Sequence, residues 1–572
     1  MIFPSRDQFR YTFRLFSKRE RLVFIILAIL AAVGLFGTLD KINRRFSNLV
    51  PASGGTWREG IVGSPHFINP LLAISDPDRD LAGLIYSGFL RPDGKGALIP
   101  DLAERYEISP DGLSYTFIIK PGASFHDGEP LRADDVIFTV ELAKNPALKS
   151  PVRASWEGVN MEKVDDRTVR FILKRPYAPF LENATLGILP KHVWKDIQPE
   201  QMSLSEFNIN PVGSGPFKVS KVSRESGGIV TSYALEPFRG YLLGKPYLKK
   251  LIFNFYPSEV ELLGAYERKT VDAVGALSPQ NIKKILRKDG LVRTLTLPRV
   301  FGVFFNQNEQ SLFAEKSVRE ALALATNKKE VIEEVLQGYG EALDSPIPPG
   351  TFGALEENEP AIYDLKAAEA LLEKNGWRKS AETGIYEKVE KKKVAKQLIF
   401  SLATSNSPDL IRTADVLRKS WEELGAKVEV RVFEISDLNQ NVIRPRKYDA
   451  LLFGEVVGRD PDPFAFWHSS QRNDPGLNIA LYTNRKVDKI LEEARTLSAP
   501  EERGGKYAEF QKEIIKDAPA IFLYSPHYLY LIPSELKGLG TEHIVLPSER
   551  FSASHLWHFE TRYVWKIFKP GK

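Results

Sequence analysis

Cysteine is absent from all 572 residues. That absence excludes disulfide bridges, thiolate metal sites, a cysteine nucleophile and lipid attachment through a cysteine. An excess of charge is missing from most of the chain as well. The formal net charge is +5, but residues 1–53 carry nine Lys/Arg against three Asp/Glu, and the remainder 69 against 70. The body therefore offers no basic surface for phosphates, and nucleic acid is not expected as a partner. Catalytic signatures are missing too. No zinc-protease helix, kinase set or dinucleotide fingerprint occurs. Pro211–Phe217, PVGSGPF, is rich in glycine and proline. It lacks both the Gly-Lys-Ser/Thr ending of a phosphate loop and the Gly-x-Ser-x-Gly spacing of a nucleophile elbow. Of eight histidines only His555 and His558 are close, and no glutamate motif accompanies them, so no metal site is expected. The pairs Asp134-Asp135 and Asp165-Asp166 fall where a helix start and a turn are expected. Two acids brought together in a cleft by the fold would leave a hydrolase open. No solenoid period repeats.

What is present begins with length: 572 residues exceed what one hydrophobic core supports. Leu22–Leu39, LVFIILAILAAVGLFGTL, is uncharged and spans roughly 27 Å as a helix, close to a bilayer's hydrocarbon thickness. Six basic residues, Arg6 to Arg21, precede it, and Lys41, Arg44 and Arg45 follow. This bias favours the N-terminus inside and the body outside. The alternative is a signal peptide cleaved after Val50-Pro51-Ala52, but Lys41, Arg44 and Arg45 intervene. Residues 1–21 thus read as a basic cytoplasmic tail, 22–39 as a transmembrane anchor and 40–55 as a linker.

In the body, Ser109-Pro110-Asp111-Gly112 is a turn. A strand follows with Tyr115, Phe117 and Ile119 on one face. His126-Asp127-Gly128 turns again, and a helix begins near Ala133, where Arg132 cannot supply a side-chain cap. Residues 156–173 read as paired strands, 251–256 as a strand, 259–270 as a helix and 302–306 as a strand. Residues 313–335 and 363–377 read as helical. A strand, helix and strand are expected over 398–403, 409–424 and 427–433. Helices over 487–496 and 507–516 complete an α/β pattern.

Pro100–Thr139 carries a resemblance: PDLAERYEISPDGLSYTFIIKPGASFHDGEPLRADDVIFT resembles the signature of the extracytoplasmic solute-binding proteins, family 5, that feed oligopeptides and dipeptides to ABC transporters. INPLLA near Ile68, GSGPF at Gly213, VREALALATNKKEVI at Val318 and YDLKAAEALLEKNGW at Tyr363 match as well. Arg132 departs from the threonine usual in that family. The absent cysteine removes the lipid anchor many members use. The resemblance implies an α/β, two-lobed periplasmic-binding-protein-like fold of type II with an extra inserted domain, preceded by one transmembrane helix. Lobe I would comprise 56–95, 211–305 and 536–565, the inserted domain 96–210, and lobe II 306–535. It implies a non-enzymatic receptor without cofactor or metal. Peptide would be captured between the lobes and passed to an ABC permease served by a separate ATPase. A nickel chelate or an oligosaccharide is the alternative ligand.

On its residues alone Tyr448–Ser469, YDALLFGEVVGRDPDPFAFWHS, reads equally as a proline-punctuated loop with core aromatics; the resemblance implies that it is the ligand segment, with the roles that follow. Gly454, Val456 and Gly458 would pair with the peptide backbone, and Trp467 would add an aromatic face. Asp460, with Asp462 as competitor and Arg459 as neighbour, would take the peptide's ammonium. Ile74, Ser75 and Asp76 would border the cleft.

Overall fold

The computed structural model describes residues 11, 15–287, 289–355, 362–389 and 396–568 and divides into two compact units. The smaller holds residues 1–55 with 558–572. Its helix, Lys18–Phe46, is started by Ser17, whose side chain accepts from Glu20 N–H while Glu20 accepts from Ser17 N–H. The helix runs well past Leu39, aided by an Asp40–Arg44 pair one turn apart at 2.8 Å. Strand Ser47–Pro51 follows directly and pairs antiparallel with Thr561–Trp565. The expected linker over 40–55 is therefore mostly helix and strand, because Thr561–Trp565 supplies a hydrogen-bonding edge that no local pattern announces.

The larger unit is Thr56–Trp557. Its main sheet has 12 strands. One half is built on Lys427–Phe433, Ile399–Ser405, Ala450–Val456 and Arg299–Phe305. The other is built on Ala273–Val274, Thr56–Val62, Lys250–Tyr256, Val230–Pro237 and Phe217–Arg224. The 14-residue strand Ala520–Pro533 joins them. Its first part pairs with Arg299–Phe305 and with Gly340–Ala342. Its second part pairs with Gly290–Thr296. The chain thus crosses between halves twice, antiparallel, with a proline at each crossing: Pro298 and Pro526. Proline takes no part as a ladder donor, so both crossings are local weak points in the pairing. Ser525 Oγ–H donates to Leu297 O at 2.7 Å and holds them together.

Cores flank the sheet separately. Trp377, Phe400, Leu417 and Trp421 pack on one face of the Arg299–Phe305 half, under helix Pro408–Leu424. Phe304, Leu451, Trp467, Phe510 and Phe522 pack on the other, under helices Arg485–Thr496 and Pro500–Asp517. Leu262, Tyr266, Val274 and Leu531 form a further cluster in the opposite half.

A separate four-stranded sheet, Ala103–Ile108, Ser114–Ile119, Thr168–Ile172 and Asn160–Lys163, buries Tyr115, Phe117 and Ile119 by strict alternation. Its helix, Ala133–Lys144, follows Arg132, which makes no side-chain cap. Asp135 replaces the missing cap, accepting from Arg132 N–H and Lys191 N–H, each at 2.9 Å. The expected single helix over 313–335 is two, Lys316–Leu324 and Lys328–Glu334. Asn327 divides them by accepting from Glu330 N–H at 3.1 Å.

Candidate functional site

Strand Ala450–Val456 emerges beside the crossing, where Val457 N–H donates to Pro298 O at 2.7 Å. A proline-stiffened turn follows, with Asp462 at φ 31°. That turn aims Arg459 away from its own half of the sheet. Arg459 Nη1–H donates to Glu182 at 2.9 Å, in the turn Ala178–Thr185 beside the small sheet. Nη2–H donates to Glu549 at 2.7 Å, in the turn Pro547–Phe551. One guanidinium thus joins three distant stretches of chain. Burial pushes the Glu182 carboxyl up to about 7, against the downward pull of Arg459. Burial raises Glu549 as well.

Arg459 also lines a small cavity, ≈ 40 Å³, at the crossing. Leu297, Pro298 and Ser525 form its floor, with Phe352, His527 and Val545 around it. Glu341 and His527 meet on this wall at 3.4 Å. That contact holds the Glu341 carboxyl below its ordinary range.

The expected ligand residues separate. Asp460 is already paired: Arg503 lies 2.7 Å away and Tyr507 O–H donates to it at 3.1 Å. Arg503 in turn lies 5.0 Å over the ring of Phe352. Asp460 therefore sits behind the cavity wall, and burial raises its carboxyl above the ordinary range. Arg459, the neighbour of Asp460 in sequence, pairs elsewhere. Asp462 receives both arms of Arg495, at 2.8 and 2.6 Å. Trp467 is core, 2% exposed and edged by Phe304, Tyr482, Phe510 and Phe522. It packs beneath the turn as part of this core. At Gly454 a Cβ would come within 2.6 Å of the Phe301 ring, so the glycine admits that ring. Val456 is exposed at the strand end opposite Arg299. Gly458 lies against the Asp460 carbonyl.

Ser75 caps helix Asp76–Ile85, and Ile74 is exposed beside it. Asp76 lines a second cavity, ≈ 350 Å³, with Asp80, Glu259, Tyr528 and Arg550. Behind it lies a network that sequence patterns do not reveal. Arg550 donates to Glu59 at 2.9 Å and twice to Asp80, at 2.8 and 2.5 Å. Glu59 also accepts from Trp57 and Tyr530. Burial moves Asp80 up to about 6 despite Arg550. Glu455, next to Val456, is buried with one oxygen unpartnered, and burial lifts its carboxyl well above the ordinary range. His555 is buried against Tyr241. No group of three metal-ligating side chains occurs among the described residues.

A model of the bacterial extracellular solute-binding proteins, family 5, middle region, matches residues 97–477. The oligopeptide-binding protein AppA of Bacillus subtilis is 28% identical over 537 residues, covering 91% of this chain and 96% of that one. Its structure in complex with a nonapeptide superposes with a TM-score of 0.68 at 27% identity, covering 89% of this chain and 100% of that one. NikZ of Campylobacter jejuni, solved with Ni(L-His), gives 0.69 at 27%, covering 88% and 99%.

Proposed function

The chain belongs to family 5 of the bacterial extracellular solute-binding proteins, and from that membership we propose that it captures peptides by closing two lobes and passes them to an ABC permease driven by a separate ATPase. The family places the body outside the cytoplasm. The observation that carries the mechanism is Arg459, reaching from one half of the sheet to Glu182 and Glu549 over a cavity at two proline crossings. Such an arrangement suits hinge closure, in which a few residues absorb the motion. We set the lobe boundaries at Pro298 and Pro526, where the strands change pairing partners, rather than at 305 and 535. Residues 96–210 form the inserted domain. Peptide-binding relatives, among them the nonapeptide-bound AppA, support peptide as the ligand class.

Closure withdraws Arg459 and its two carboxylates from water, and their mutual pairing offsets much of that cost. The ligand lies under the latch, between the lobes. Asp460 acts through Arg503, holding it against Phe352, and does not itself receive the peptide ammonium. Helix Lys18–Phe46, 29 residues with mean hydropathy 2.8 over its apolar window, anchors the body as an uncleaved span.

The test is to purify the full chain in detergent, release bound material by acid and identify it by mass spectrometry. Peptides of a few residues, recovered intact, are expected. A nickel chelate or oligosaccharide in their place overturns the ligand class. Steady release of cleaved peptide after repurification overturns the non-enzymatic reading.

A further inference from the structure

The smaller unit leaves one apolar face uncovered. In the ribbon made by Ser47–Pro51 and Thr561–Trp565, Leu49 stands opposite Tyr563 and Ser47 opposite Trp565. Side chains directly opposite in a pair share a face, so Leu49, Tyr563 and Trp565 lie together. They are 52%, 44% and 45% exposed. Phe46, the last helical residue, stacks on Trp565 with ring centroids 6.5 Å apart and is itself exposed. Asn48, Val50, Arg562 and Val564 belong to the opposite face, the two valines half-buried and without an aromatic ring among them.

We propose that this ribbon lies in the lipid headgroup layer with its Leu49–Tyr563–Trp565 face toward the membrane, so that the chain, after leaving the bilayer at Phe46, returns to its surface at Thr561–Trp565. The inference rests on the reading of Lys18–Phe46 as an uncleaved span. Length supports it. A helix of 29 residues is about 43 Å long, matching the ~40–45 Å of a bilayer with its headgroups. Leu22–Leu39 fills the hydrocarbon, and the next seven residues cross the headgroup zone to Phe46. The ribbon begins at the following residue, without a linker. Composition supports it too. Tyrosine and tryptophan concentrate at this depth because a ring can sit in the apolar margin while its polar edge stays wet. Arg44, Arg45 and Lys566 are exposed around the face and suit anionic headgroups. Cleavage after Ala52 would remove all of Ser47–Pro51, leaving Thr561–Trp565 an unpaired edge.

The absence of cysteine makes single-cysteine labelling direct. The full chain with Leu49→Cys, Tyr563→Cys, Asn48→Cys, Arg562→Cys or Leu30→Cys is spin-labelled and reconstituted in phosphatidylcholine–phosphatidylglycerol vesicles. Accessibility is read with oxygen, which enters lipid, and a nickel chelate, which does not. Labels at 49 and 563 should show an oxygen-to-nickel ratio several-fold above those at 48 and 562, approaching that at 30. Equal ratios at 48, 49, 562 and 563, with 30 still in lipid, overturn the inference and leave the anchor standing. Protection at 49 and 563 from both reagents, with spin–spin broadening lost on dilution by unlabelled chain, means that a second copy covers the face and also overturns it. A water-exposed label at 30, or a mature chain beginning near Ser53, removes the anchor and the inference together. If Tyr563→Cys disrupts the ribbon, quenching by lipids brominated near the headgroup decides, taken as the difference between wild type and Trp565→Phe. Loss of quenching in Trp565→Phe is expected, and no difference overturns the inference.

Discussion

Arg550 and Arg459 each stand between two carboxylates, Glu59 and Asp80 for the first, Glu182 and Glu549 for the second. Their surroundings separate their roles. Arg550 and both of its partners are at most 2% exposed. Its partners lie on neighbouring elements of one half of the sheet, so the triad stays assembled whatever the halves do. Glu182 is 32% exposed and belongs to a different region from Arg459. The same chemistry is scaffold where every member moves together and a latch where the members lie on parts that separate. A buried ion pair adds little net stability, yet removing one member strands the others. In the first triad that penalty falls on folding, and in the second on closure.

The largest expected effect comes from breaking the scaffold triad. Arg550→Met leaves Glu59 and Asp80 buried without a counter-charge and should cost about 3–5 kcal/mol of stability, read by denaturant unfolding in detergent. The matching change in the latch, Arg459→Met, should leave unfolding nearly unchanged because the open form hydrates both carboxylates. It should speed peptide release instead. Two charge-assisted bonds lost on closure, set against the relief of no longer desolvating Arg459, leave a net loss of about one such bond, about 1.5–3 kcal/mol or roughly 10- to 150-fold in off-rate. Stopped-flow release measures it, and unfolding losses of equal size in both variants would erase the distinction between scaffold and latch.

Asp460 supplies a third case, a pair contained in one half. Asp460→Asn leaves Arg503 poorly paired and should cost about 1–3 kcal/mol of stability. Titration calorimetry should find free and N-acetylated peptides weakened alike. A selective loss for the free peptide would return Asp460 to the ammonium.

The smallest effect is in pH. Glu182 is raised to about 7 from an ordinary 4.5, so the closed protein binds its proton more tightly than the unfolded chain does. Its contribution to stability is therefore complete below about pH 4.5 and is lost as pH rises through 7. Asp80 behaves in the same direction, with its loss centred near 6. Glu182→Gln should remove the part of the slope between pH 6 and 7, under ~1 kcal/mol after solvent screening, and leave the part due to Asp80. Thermal unfolding from pH 4.5 to 8 under saturating peptide, which holds the closed form, checks the split.

Much of this fold is legible in local pattern. The alternation of Tyr115, Phe117 and Ile119, the α/β order and the stop at Gly376 follow from short-range chemistry. Long-range pairing does not. Strand Ala520–Pro533, with Pro526 in its middle, is absent from the elements expected above, yet it is the element that crosses between halves. The ribbon Ser47–Pro51 with Thr561–Trp565 depends on partners some 500 residues apart in sequence. Around Gly454–Trp467 the strand and the turn after it were legible from glycines and prolines. The partners of the side chains were not, because they are set by the fold. Asp460 reads as an open acceptor until Arg503, 43 residues on, is seen beside it. Arg459 is its neighbour in sequence, although the turn sends it to Glu182 and Glu549.

The central claim, closure latched by Arg459, is tested most directly by single-molecule energy transfer. Donor and acceptor go on the exposed positions Glu129→Cys, in the inserted domain, and Lys427→Cys, in the second lobe. Peptide should convert a long-distance population into a short-distance one. Arg459→Met should lower the short-distance fraction at the same peptide concentration without changing either distance. A single distance unmoved by peptide, in a chain from which bound peptide is recovered by mass spectrometry, would contradict the account.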